Sequence, residues 1–80
     1  MKRAEIHKRL EAIIETSIPN LNIEVSESLT PREVSGWDSL ANAMIITAVQ
    51  NEFEIKFKFA DLIAWHNVGQ LIDIIEKKLS

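Results

Sequence analysis

Eighty residues, 46% of them apolar, with a net charge of −3, admit one small globular domain and exclude a disordered charged tail. Two glycines, two prolines, two tryptophans and three phenylalanines favour packed helices over a turn-rich β fold. The absence of cysteine removes disulfides and thiolate metal sites. No apolar run approaches membrane-spanning length and the start lacks a signal-peptide core, so no membrane association and a cytoplasmic location are expected.

Residues 2–17 read as an amphipathic helix. Ile6, Leu10, Ile13, Ile14 and Ser17 share one side, while Lys8, Arg9, Glu11 and Glu15 lie elsewhere. Lys2, Arg3, Lys8 and Arg9 are the only basic concentration. Interrupted by Glu5, they read as a solvated helix face, and no nucleic-acid partner is expected. Pro19-Asn20 ends the helix.

A long connection over residues 18–38 follows, which Leu21, Ile23, Val25, Leu29 and Val34 should tack onto the bundle. The alternation at Leu21–Val25 also permits a strand, though the chain offers it no partner. Thr30-Pro31-Arg32-Glu33 has the form of a capping box with proline at the first helical position, predicting at most one turn. A connection this long in so small a domain is often functional.

Residues 39–53 form the second main helix. Ile45, Ile46, Val49 and Phe53 make a core face, with Leu40, Met44, Thr47 and Asn51 roughly opposite. No charge stands between Asp38 and Glu52. Such a helix is buried nearly all round or has an outer face that meets something. Over residues 54–66 the chain is irregular, with Phe57 and Phe59 as anchors and a short helix near 60–65 carrying Leu62, Ile63 and Trp65. Asn67 caps a last helix over residues 67–79. Its inner side is Val68, Leu71, Ile72, Ile75 and Leu79; Gln70, Asp73, Lys77 and Lys78 face water.

Gly36-Trp37-Asp38-Ser39-Leu40 places a serine hydroxyl where a loop becomes an apolar helix. Free N–H groups and the positive dipole end favour an anion there, so a phosphate ester on Ser39 would be held by the helix start. Asp38 is an N-cap candidate. Catalysis by Ser39 itself would need a positioned base. His7 and His66 are the only histidines, and no orienting partner accompanies either. His66 has no second ligand at chelating spacing, so no metal site is expected.

Asp38-Ser39-Leu40 resembles the signature of acyl carrier proteins. Gln50-Asn51-Glu52-Phe53-Glu54-Ile55-Lys56-Phe57 is similar to that family's acidic-aromatic close of helix two. Asn67-Val68-Gly69-Gln70-Leu71 resembles the opening of its last helix. The resemblance covers nearly the whole chain and implies an all-α four-helix bundle of acyl-carrier type, a single carrier domain over residues 1–80. It further implies that Ser39 receives 4′-phosphopantetheine from coenzyme A and that Asp38 lies beside the transferase's metal site. The implied role is a non-enzymatic carrier of acyl thioesters in fatty acid, polyketide or related specialised biosynthesis. The implied partners are a phosphopantetheinyl transferase and acyl-loading ligases or synthases, and the chain itself is expected to be a monomer.

The chain departs from the family in its second helix, which is acidic in familiar carriers. Leu40, Ala43, Met44 and Thr47 are therefore candidate partner contacts of apolar rather than electrostatic kind, with intramolecular or self packing as the other reading, and Trp65 is a further candidate contact. Trp65 falls where the family opens its acyl pocket. It either narrows that pocket, favouring short or polar cargo, or packs as core or rim. Trp37 should fix how Ser39 is presented. The rival functions are a helical interaction domain with an accidental Asp-Ser-Leu, a peptidyl or aminoacyl carrier, a small nucleic-acid binder, and a scaffold that no longer accepts the arm.

Overall fold

A computed structural model describes residues 1–80. It contains helices α1 (Arg3–Ser17), α2 (Ser39–Phe53), α3 (Phe59–Leu62) and α4 (Val68–Leu79), with a 3₁₀ turn at Pro31–Glu33 and no strand. The alternation at Leu21–Val25 is therefore loop. Helix α1 packs against both α2 and α4. Ile6, Leu10 and Ile14 from α1, Ile45 and Val49 from α2, and Leu71, Ile72 and Ile75 from α4 are fully buried in one apolar cluster. Each set recurs at three- and four-residue intervals, which puts it on one helical stripe.

The long loop belongs to this core. Val25, Leu29 and Val34 are buried in it, whereas Ile23, expected among them, is 42% exposed. Polar ties add to the apolar ones. The loop carbonyls of Leu29 and Glu27 accept the N–H groups of Val68 and Gly69 at 2.9 and 2.8 Å, while the Asn67 side chain accepts that of Gln70 at 2.8 Å. The otherwise orphaned donors at the start of α4 are thus consumed by the loop. A Cβ on Gly69 would lie 3.1 Å from the Glu27 carbonyl oxygen, so any larger residue would push the loop back by a few tenths of an ångström.

Arg3 closes the same junction. Its guanidinium binds the Glu27 carboxylate at 2.8 Å and those of Asp73 and Glu76 on α4. Arg9 pairs with Glu5 and Glu52. Two of the four basic residues at the start thus serve intramolecular ion pairs.

The segment after α2 differs most from expectation. Helix α3 spans Phe59–Leu62 rather than 60–65, because Asp61 accepts the Lys58 N–H at 2.7 Å and fixes the first turn there. Lys78, expected to face water, reaches Asp61 at 2.8 Å and joins α3 to α4. Phe57 packs against the core, but Phe59 is 75% exposed and anchors nothing. Leu62 and Ile63 are exposed as well, and Trp65, beyond the helix, is buried.

Candidate functional site

Two devices in the chain before α2 bring Ser39 to the surface. Gly36 has φ +94°, a left-handed conformation that a side chain would strain, and it lets the loop reverse just ahead of Trp37. Trp37 then turns inward and is nearly buried, its indole N–H donating to the Asn42 side-chain oxygen at 3.0 Å. That bond spans the start of α2 and holds the entering chain to the helix it enters.

Asp38 is the N-cap of α2, its carboxylate accepting the Ala41 N–H at 2.8 Å, and its backbone carbonyl accepts from Asn42. Ser39 follows as the first helical residue, exposed to solvent. The N–H groups of Ser39 and Leu40 find no acceptor within the protein. The contrast with α4 is informative: there the loop takes the first two donors, whereas at α2 they stay free beside a serine hydroxyl. Two unclaimed donors and the positive end of a fifteen-residue helix suit a phosphate ester on that oxygen.

Ser39 also lies on the wall of an open cleft of about 850 Å³. The 3₁₀ turn supplies Thr30 and Arg32, the α2 entrance supplies Trp37 and Asn42, and the stretch after α3 supplies Trp65 and His66. The two indoles meet with ring centroids 6.2 Å apart and planes inclined at 45°, forming an aromatic side to the cleft. Both the Thr30 N–H and its hydroxyl donate to Glu33 Oε1, so the capping box is realised with the threonine hydroxyl donating rather than accepting.

Of the candidate partner contacts, Leu40 is 71% and Met44 49% exposed, and Ala43 and Thr47 are exposed beside them. Other neutral residues of α2 have internal tasks. Ala41 is buried, Asn42 holds Trp37, and the Gln50 side chain accepts the Phe57 N–H at 2.9 Å, closing the helix C-terminus. Trp65, also expected among the partner contacts, differs from the exposed set: it is 8% exposed, packed on Trp37 and lines the cleft. Arg32, Asn42 and His66 were not singled out by sequence as cleft residues. The five-residue step from Trp37 to Asn42 is the one local signal that tied any of them to the serine.

Neither histidine hydrogen-bonds Ser39, and His7 Nε2 is engaged with the Val25 carbonyl. No cluster of three His, Asp or Glu side chains converges to hold a metal. No helix is long and apolar enough to cross a membrane.

Comparison with known proteins agrees with this geometry. Residues 8–75 match the family model described as phosphopantetheine attachment site. A solution structure of holo acyl carrier protein from Geobacter metallireducens is similar at a TM-score of 0.81 and 28% identity, over 90% of this chain and 83% of that one. No curated protein matches the chain significantly. The chain belongs to the phosphopantetheine-binding acyl carrier protein family, a carrier fold that takes covalent 4′-phosphopantetheine.

Proposed function

We propose that Ser39 is the attachment residue and that the chain, as a single monomeric carrier domain of the cytoplasm, carries acyl groups in fatty acid, polyketide or related specialised biosynthesis. The observation that carries this reading is the start of α2: an exposed serine hydroxyl beside two backbone N–H groups that nothing else in the protein uses. When attached, the arm supplies a thiol that holds an acyl group as a thioester.

The chain's own residues bind and present. Asp38 caps the helix and offers its remaining carboxylate oxygen to the transferase's metal site. The Ser39 and Leu40 N–H groups receive the phosphodiester charge. Trp37, held by Asn42, fixes the direction in which Ser39 Oγ leaves the surface. The proton that Ser39 must lose is taken by a base on the transferase, since no histidine here is bonded to it. The chain acts without catalysis of its own. Leu40, Ala43, Met44 and Thr47 meet the transferase and the loading ligase or synthase, with Trp65 reached through the cleft.

Peptide mapping after incubation with coenzyme A, Mg²⁺ and a broad-specificity transferase tests the assignment. The arm is expected on the peptide containing Ser39. An arm on Ser26, Ser28 or Ser35 of the preceding loop would overturn it.

A further inference from the structure

Attachment of the arm adds a negative charge next to one already there. Asp38 and Ser39 are consecutive, and the Asp38 carboxylate is engaged by the Ala41 N–H at 2.8 Å. A phosphodiester on Ser39 Oγ stands beside that carboxylate, and like charges so close repel. The free N–H groups of Ser39 and Leu40 offset part of this repulsion. They are partial charges, and the place calls for a whole one.

The chain has three arginines. Arg3 is paired with Glu27, Asp73 and Glu76, and Arg9 with Glu5 and Glu52. Arg32 alone has no carboxylate partner in the protein. The acid next to it in sequence, Glu33, is engaged through Oε1 by Thr30 instead. Arg32 is exposed and lines the same cleft as Asp38 and Ser39. No lysine lines that cleft, and His66 is the one other base on it.

We propose that Arg32 is a positioning residue for the arm, its guanidinium binding the phosphodiester carried on Ser39. The pairing rests on Ser39 being the attachment residue and adds a second protein group that holds the anion there. The flat fork of a guanidinium matches two phosphate oxygens at once, where an ammonium offers only a point charge. The root of the arm is thereby held by two elements, the Pro31–Glu33 turn and α2, while its thiol end stays free. The same contact fastens the turn to the start of α2 once the arm is on.

An exposed pair of this kind is weak, so resonance positions register it where a melting temperature would not. The wild type and the variants Arg32→Gln, Arg32→Lys and His66→Gln would be prepared without the arm. Coenzyme A, Mg²⁺ and a broad-specificity transferase then convert them, and intact mass establishes conversion first. A wild type left unmodified would sink the attachment reading and the pairing with it; every later result bears on Arg32 alone. Nitrogen NMR follows the three arginine Nε–H resonances, and phosphorus NMR follows the diester. Conversion is expected to move the Arg32 Nε–H resonance and to leave those of Arg3 and Arg9, which stay in their ion pairs. The phosphorus resonance should shift in Arg32→Gln, lie nearer its wild-type position in Arg32→Lys and be unchanged in His66→Gln. An Arg32 Nε–H that conversion leaves unmoved, or a phosphorus resonance alike in wild type and Arg32→Gln, would overturn the pairing. So would a phosphorus shift that follows His66→Gln instead.

Discussion

Asp38, Gly36 and Gly69 show how single residues set the site. Asp38→Ala removes the carboxylate that accepts the Ala41 N–H at 2.8 Å. Loss of such a cap costs about 1 kcal/mol, and urea unfolding should show that loss with the slope unchanged. Gly69→Ala is expected to cost about 1–3 kcal/mol, as overpacking does, because its new Cβ meets Glu27 backbone and side chain at 3.0–3.1 Å. The same variant loosens the loop that leads to Ser39, which amide exchange at Val68 and Gly69 would register as lost protection. Both effects were legible only in part. Asn67 and Asp38 announce themselves as caps, but the tight fit at Gly69 depends on a loop backbone that no local pattern reveals.

At the scale of elements, α1, α2 and α4 were readable because each buries one stripe at helical spacing. The region after α2 was not. Phe59 and Trp65 look alike to any apolarity count, yet Phe59 faces solvent and Trp65 is buried against Trp37. What decides between them is the Lys58–Asp61 turn and the Asp61–Lys78 pair, both tertiary choices made by charged side chains. The neutral face of α2 was visible in sequence, but its division was not: Asn42 and Gln50 work inward, leaving Leu40, Ala43, Met44 and Thr47 outward. Burying a side chain such as Leu40 is worth about 1.5–3 kcal/mol, so Leu40→Ala should weaken binding to a cognate partner by roughly tenfold or more. Raising salt should change that affinity little, and titration calorimetry at two ionic strengths measures both. Strong weakening by modest salt would mean that charge, not apolar contact, carries recognition.

For the whole molecule, the junction of α1, the loop and α4 makes stability depend on pH. Hydrogen bonding to Arg3 holds the Glu27 carboxyl below the usual carboxylate range. Bonding to Lys78, then to the Lys58 N–H, does the same for Asp61. A carboxyl whose pKa is depressed by folding contributes stability that is fully present above its unfolded value of about 4. That contribution is lost as pH falls further, toward and through the folded value. Tm should therefore drop below about pH 4, and Arg3→Gln should flatten the drop by removing the Glu27 part of it. An unchanged slope in that variant would show that the exposed pairs contribute little, as isolated surface pairs often do.

The role proposed for this bundle is to present Ser39 for modification. Its most direct test is the intact mass of the wild-type chain and of Ser39→Ala after incubation with coenzyme A, Mg²⁺ and a broad-specificity transferase. A single phosphopantetheine addition is expected in the wild type and none in the variant, with both proteins folded by circular dichroism. An addition that persists in Ser39→Ala, or a folded wild type that several transferases leave unmodified, would contradict it.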